Sequence, residues 1–319
     1  MESRLKHFEN EFKKGNLKKE KYIKKIHDLH AVLWDYLDFI QDKNVDSIEI
    51  TKERIVLKTR NGIKMICDPE DERFIPIEIL NFGDYESSEI YMARRFLKKD
   101  SILLDIGANI GWCSLNLSKY VPKGRILAFE PIPKTYNYLK KNIEINGVRN
   151  IEKYNFGFSD KKGDFVLYYN PKLSAASSLQ RLHGDKEVVP IKCKLKKLDD
   201  FAKEKGLSKI DFIKCDVEGA EILAIKGGLE TIKKTLPVMF LEMLRKWSAK
   251  FGYHPNDIIK ILSDIGYKCY VIENMKLVEI KEVKENTIAT NFYFLHPKKH
   301  ATFLKELTLL YPRKYQGKN

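Results

Sequence analysis

From residue 101 onward the chain repeats one pattern, a short apolar run rich in β-branched residues followed by a longer polar or amphipathic segment. That alternation predicts strands at Ile102 to Asp105, Ile126 to Glu130, Ile151 to Phe156, Phe165 to Tyr169, Val189 to Lys194, Ile210 to Cys215, Val238 to Glu242, Lys268 to Ile272 and Asn291 to Leu295. Helices are placed by their end signals. Pro133 opens one that closes at Asn146-Gly147, and Pro255 after His254 opens another that ends near Gly266. Strands alternating with helices imply an α/β fold in which a mostly parallel sheet is covered on both faces. No internal repeat or low-complexity tract interrupts it.

The first hundred residues read differently. Tyr22, Ile23, Ile26, Leu29, Leu33, Tyr36, Leu37 and Ile40 recur at steps of three and four, which predicts one amphipathic helix with a basic outer surface. "RIVLKTRNGIKMICDP" alternates on both sides of Asn61-Gly62, so a β-hairpin with two positive φ values at its turn is expected. "GDYESSEIYMARRFL" predicts a turn, a cap at Ser87 or Ser88 and a helix with Ile90, Ala93, Phe96 and Leu97 inward. The resulting division is a helical extension over 1–45, a hairpin and helix over 46–100, the main domain over 101–297 and a basic tail over 298–319.

The chain has 319 residues, and 58 Lys and Arg against 44 Asp and Glu leave a formal charge of +14. The lysines are spread along the whole chain, which reads as a solvated surface in preference to a nucleic-acid footprint. The five cysteines (Cys67, Cys113, Cys193, Cys215 and Cys269) are odd in number and widely spaced, and read as reduced thiols of a cytoplasmic protein. No apolar run has signal-peptide character or the length of a membrane span. The N-terminal helix offers a surface for packing on the main domain, for a homodimer or for a partner that seeks basic charge.

"ILLDIGANIG", Ile102 to Gly111, lies where a strand gives way to a helix, and there backbone must approach a ligand closely. A nicotinamide loop would carry a middle glycine, but Asn109 stands in its place, and no G-K-[ST] follows to make a P-loop. An adenosine cofactor without a pyrophosphate remains. Glu130, ending "RILAFEP", is positioned to accept hydrogen bonds from ribose hydroxyls, and Pro131 turns the chain over the pocket. In "YNFGFSD", Phe158 would cover an adenine face, with Ser159 or Asp160 at its edge. A second unusual stretch, "IDFIKCDVEGAEILAIKGG", crowds Asp211, Asp216, Glu218 and Glu221 around a strand ending at Cys215. Such crowding calls for a bound cation or for neighbours such as Lys214 and Lys226.

Taken together, "DIGANIG", "FEP" and "KCDVEGAE", in this order and spacing, resemble the FkbM-type S-adenosylmethionine-dependent methyltransferases, as do "GDYE" (Gly83 to Glu86) and "FLEM" (Phe240 to Met243). The resemblance runs from about Gly83 to Leu295. It implies a Rossmann-like, seven-stranded class I methyltransferase fold, S-adenosylmethionine as cofactor, and O-methylation of a small-molecule or carbohydrate acceptor. It also implies that Asp105, Gly107, Ala108, Asn109 and Gly111 line the methionine end, with Glu86 approaching it, that Glu130 holds ribose, and that Asp216 sits near the reacting methyl.

Methyl transfer is an in-line displacement, and a sugar hydroxyl must also lose its proton. The candidates for the base are Asp216, Glu218, Glu242 and His183, the last in the polar loop "SAASSLQRLHGDKE". His254, before Pro255, reads as a cap. Asp216 and Glu242 would end neighbouring strands and could share a magnesium ion that binds a diol, though two carboxylates are too few to assign a metal. The rival readings are an RNA or DNA methyltransferase, which lacks its D-P-P-Y or Pro-Cys stretch here, and a scaffold that keeps the fold without the chemistry.

Overall fold

The computed structural model describes residues 2–174, 177–180 and 188–307. In chain order the strands are β1 (Ser47–Ile50), β2 (Ile55–Lys58), β3 (Lys64–Ile66), β4 (Ile102–Ile106), β5 (Arg125–Phe129), β6 (Ile151–Tyr154), β7 (Gly157–Phe158), β8 (Gly163–Tyr169) and β9 (Val189–Lys196). They continue as β10 (Phe212–Cys215), β11 (Val238–Glu242), β12 (Lys268–Glu273), β13 (Lys276–Ile280) and β14 (Asn291–Leu295). The central sheet has the order β13-β12-β14-β11-β10-β4-β5-β6. Its strands from β6 to β11 pair in parallel, and β14 joins β11 in the antiparallel sense. This is the Rossmann-like arrangement of class I methyltransferases, as expected.

The sheet nevertheless has eight strands where seven were expected. The additional strand, β13, pairs with β12 across a tight hairpin whose two turn residues, Asn274 and Met275, both take positive φ (49° and 60°). A mirror-image turn of this kind is usually marked by glycine, and "ENMK" has none, so the hairpin carries no glycine cue. At Asn61-Gly62 the reverse holds. The hairpin between β2 and β3 forms, but only Gly62 has positive φ (90°), in a loop closed by the amide of Gly62 on Thr59 O at 2.9 Å. β1 extends this hairpin into a three-stranded sheet, and β7, β9 and β8 form a second one.

Both faces of the large sheet are packed. On one face Phe129, Tyr154, Phe156, Phe158 and Phe201 form an aromatic cluster, with Phe129 centred 4.6 Å from Phe158 and 5.2 Å from Phe201. On the other lies the helix Pro133–Asn146, which ends at Gly147 in the left-handed region (φ 64°), as its sequence predicts. That helix also receives β3. Asn142 and Asn146 accept the amides of Ile66 and Lys64, each at 2.9 Å, so two side chains cap the free edge of the small sheet. Asn142 donates in turn to Ile110 O at 2.9 Å, joining the hairpin to the glycine loop.

Two helix boundaries differ from expectation. The single helix over residues 22–40 is two, Lys19–His30 and Val32–Phe39, divided at Ala31. The serine cap is absent: the helix Ser87–Arg95 begins after Glu86, which takes the left-handed conformation (φ 48°) and makes no side-chain cap bond. The cap at His254 is present, its Nδ1 accepting from the amide of Asn256 at 3.2 Å.

The aromatic cluster joins β5 to the strand and helix that flank the cofactor side of the sheet. Phe129→Ala is expected to cost about 3–5 kcal/mol of unfolding free energy, measured by chemical denaturation, because four ring contacts are lost at once.

Candidate functional site

Sheet connections reverse direction between β4 and β10, and in open α/β sheets a crevice forms at the carboxyl ends where that happens. Register then fixes the neighbours. Ile106 pairs with Cys215 and Cys215 with Leu241, so the residues that follow, Gly107, Asp216 and Glu242, emerge side by side. Together they border a cavity of about 320 Å³ that is also lined by Glu86, Asn109, Glu130, Pro131, Phe158 and Glu218.

The glycine loop is held from three sides. The amides of Gly107 and Ala108 both donate to Phe129 O, at 3.0 and 2.9 Å. Gly107 has φ 78°, and a Cβ there would lie 1.8 Å from Asp216 O, so only glycine lets the loop pass the β10 turn. Gly111 serves packing: its Cβ would come within 2.7 Å of Leu139. Glu130 accepts the amide of Asn109 on one carboxylate oxygen (3.0 Å) and that of Ile132 on the other (2.9 Å), leaving a second lone pair on each. Burial pushes its carboxyl up to about 7 against these two donors.

Lys214 lies beneath the loop, buried. Its ammonium donates to Gly107 O and to Asp216 Oδ2, each at 3.1 Å, and stands 3.8 Å from Asp105 Oδ1. Asp105 accepts the hydroxyl of Ser114 on its other oxygen at 2.6 Å. One lysine thereby joins the cofactor loop to the acidic turn, and although burial would discharge it, the charges of Asp216 and Asp105 outweigh that and hold its pKa well above the ordinary lysine value.

The acidic run divides by direction. Asp216, Glu218 and Glu242 bring carboxylate oxygens within 4.8 Å of one another, a set with the chemistry to hold a divalent cation. Burial and the charge of Asp216 raise the carboxyls of Glu218 and Glu242 far above the ordinary range, and Glu242 is also hydrogen-bonded to Asp216. Glu221 turns inward instead. Its Oε1 accepts the amides of Val217 (3.1 Å) and Gly219 (3.0 Å), and its Oε2 lies 3.0 Å from the Tyr253 hydroxyl. It braces the turn that presents Asp216 and Glu218. Three residues other than glycine on the cavity wall, Glu86, Asn109 and Glu218, have φ near 50°, a strained conformation of the kind that gathers at functional sites.

The remaining expected residues fall as follows. Asp105, Ala108 and Gly111 sit behind the loop and do not line the cavity. Ser159 is also set back: its side chain meets Asp160 at 3.2 Å and its carbonyl faces Gly227, whose Cβ would be 2.1 Å away. His183 lies outside the described residues. Sequence reasoning missed Tyr85, Trp247 and Ser178, which also border the cavity. Tyr85 stands inside the "GDYE" motif, and its carbonyl accepts the indole N–H of Trp112 at 3.1 Å. Ser178, in the serine-rich segment, donates to Glu218 O at 2.7 Å and so sits against the acidic turn. Trp247 had no signal, because its part is set by packing against Gly219.

Gly107→Ala is expected to displace the loop by about an ångström or more and to weaken cofactor binding roughly a hundredfold, read by calorimetric titration. Glu221 supplies a pH test. Burial pushes its carboxyl from 4.5 up to about 7 in the folded chain. The stability it contributes is complete below pH 4.5 and is lost as the pH rises through about 7. Between those values Glu221→Gln should therefore lose less thermal stability than the wild type, and equal slopes in the two melting curves would count against this placement of the carboxyl.

A sequence profile described as "Methyltransferase FkbM domain" matches residues 105–269, from the glycine loop to β12. Among curated relatives, Methyltransferase sdnD of Sordaria araneosa is 33% identical over 159 residues, covering 41% of this chain and 61% of its own. The 2-O-methyltransferase NoeI of Sinorhizobium fredii is 30% identical over 152 residues, covering 43% and 61%. The alignments thus span about three fifths of these relatives' length. A solved structure, Methyltransferase FkbM from Methylobacillus flagellatus, is 18% identical, with a TM-score of 0.38 and coverage of 69% of this chain and 53% of that one. The profile spans just over half of the sequence and includes both the glycine loop and the acidic turn, and the chain belongs to the FkbM methyltransferase domain family.

Proposed function

We propose that the chain is an S-adenosylmethionine-dependent O-methyltransferase acting on a hydroxyl of a sugar, a glycan precursor or a related small molecule. The observation that carries this reading is the meeting, in one cavity, of the strained glycine loop, Glu130 and the carboxylates of Asp216, Glu218 and Glu242. The similarity to a protein named as a 2-O-methyltransferase supports oxygen as the acceptor atom.

The residues present fit the cofactor. Glu130 keeps lone pairs for ribose hydroxyls, and Asn109 has a buried amide oxygen with no hydrogen-bond partner beside the loop, an acceptor suited to an ammonium donor. When bound, S-adenosylmethionine supplies an electrophilic methyl on a cationic sulfur. The loop from Gly107 to Asn109 would hold its methionine end, Glu130 its ribose and Phe158 its adenine face.

The chain's own part in the chemistry is proton removal, alignment and exclusion of water. Burial beside the charge of Asp216 raises the carboxyls of Glu218 and Glu242 and favours their protonated forms. Asp216, on the cavity wall with one oxygen fixed by the Lys214 ammonium, is the group assigned to accept the proton of the acceptor hydroxyl. Ser178, on the cavity wall, donates to Glu218 O and steadies the turn that presents that carboxyl. A second reading, in which the same three carboxylates hold a magnesium ion that acidifies the hydroxyl, is favoured by their mutual spacing.

Asp216→Asn is expected to lower kcat by roughly 10²–10⁴ with cofactor binding retained, in single-turnover assays. Full activity in excess chelator removes the magnesium reading, and loss restored by magnesium alone establishes it. The acceptor class is tested by mass spectrometry of cell-surface carbohydrates and nucleotide-linked precursors after incubation with labelled S-adenosylmethionine. Label on protein or RNA alone would overturn the carbohydrate reading.

A further inference from the structure

Three helices at the start of the chain carry an apolar surface that the rest of the described residues leaves uncovered. None of Arg4–Lys13, Lys19–His30 and Val32–Phe39 has a buried residue, and Trp34 (61%), Leu37 (60%) and Ile23 (54%) are more than half exposed. Scattered apolar residues on a surface are ordinary, but these adjoin a groove. Leu33, Leu37 and Ile40, spaced four and three apart on one helix face, look across about 960 Å³ at Ile50 and Ile55 of β1 and β2. Ile50 is itself 65% exposed. A joined apolar patch rimmed by charge marks an interaction site.

The charges select what covers it. In Arg4–Lys13 they are satisfied locally, Lys6 and Lys13 both reaching Glu9 at 2.9 and 2.6 Å. The next two helices are unlike it. Lys19–His30 carries four lysines, Lys25 lying over the Phe8 ring, against the two acids Glu20 and Asp28, Val32–Phe39 carries Asp35 and Asp38 with no basic residue, and none of Lys19, Lys21, Lys24, Asp35 and Asp38 makes an ion pair among the described residues. Ala31 between them keeps helical torsions (φ −53°, ψ −34°), so the two helices form a segment with a basic first half and an acidic second half. Set antiparallel to a copy of itself, such a segment brings lysines against aspartates at both ends, which is the self-complementarity a two-fold interface requires.

We propose that this face is a homodimer interface. The helix Lys19–His30 of a second copy lies in the groove, with its apolar residues against Leu33, Leu37, Ile50 and Ile55 and its lysines toward Asp35 and Asp38. An anionic membrane would attract the lysines, but it would repel the two aspartates that flank Trp34 and Leu37, and the alternation of sign along the segment favours the protein partner.

Sedimentation equilibrium of the full chain across a concentration series provides the test. A dimer is expected, and Leu33→Glu with Leu37→Glu should weaken it at least about tenfold while circular dichroism and cofactor binding stay unchanged. Lys21→Asp with Lys24→Asp should weaken it too, as should Asp35→Lys with Asp38→Lys, and mixing these two charge-reversed chains should restore a heterodimer. Monomeric wild-type protein at every concentration overturns the proposal. So does a dimer indifferent to all of these changes, or co-sedimentation with phosphatidylserine vesicles in the absence of a dimer.

Discussion

Parallel pairing of β4 with β10 is the contact on which the site depends. It sets Ile106 beside Cys215, and the chain must then leave both strands within one narrow crevice. That crowding is what admits only glycine at position 107, where a Cβ would meet the carbonyl oxygen of Asp216. It is also what places a buried lysine under two carboxylates and a backbone carbonyl. In water such a group of charges would be solvated separately. Here low dielectric makes each contact stronger and each absence costly, so the loop and the acidic turn behave as one unit.

A division of labour among acidic residues follows from the same crowding. Glu130 and Glu221 bind backbone amides and shape loops, Glu130 from the cavity wall, whereas Asp216, Glu218 and Glu242 gather their carboxylates within the cavity. The bracing pair keep their geometry without any ligand, since their donors belong to the chain. The cavity-facing three crowd one another, which raises the carboxyls of Glu218 and Glu242 and sets up a place with the chemistry to take a cation. Strain at Glu86, Asn109 and Glu218 is tolerated because each of these turns is tied on both sides.

The alternation of strand and helix, the caps at His254 and Gly147, and the hairpin around Asn61-Gly62 were all legible, because each depends on residues close in sequence. The missed β13 shows the limit. Its turn places Asn274 and Met275 at positive φ, which local preference disfavours, and pairing with β12 over five residue pairs overrides that preference. The break at Ala31 was likewise invisible in a periodicity that runs unbroken from Tyr22 to Ile40.

By itself the sequence determined the kind of fold and the family, and its motifs contain Glu86, Glu130, Asp216, Glu218 and Glu242 of the carboxylates that line the cavity, since motif spacing and hydrophobic period are local properties of the chain. Only the tertiary structure decided which acids do what. Glu218 and Glu221 stand three residues apart in one motif, yet one faces the cavity and the other holds the turn, because the second meets two amides and the Tyr253 hydroxyl. Glu242 and Asp216, 26 residues apart, become partners because β10 and β11 lie in register. The direction of a side chain depends on what the fold places beside it, and contacts of that range leave no mark in the order of residues.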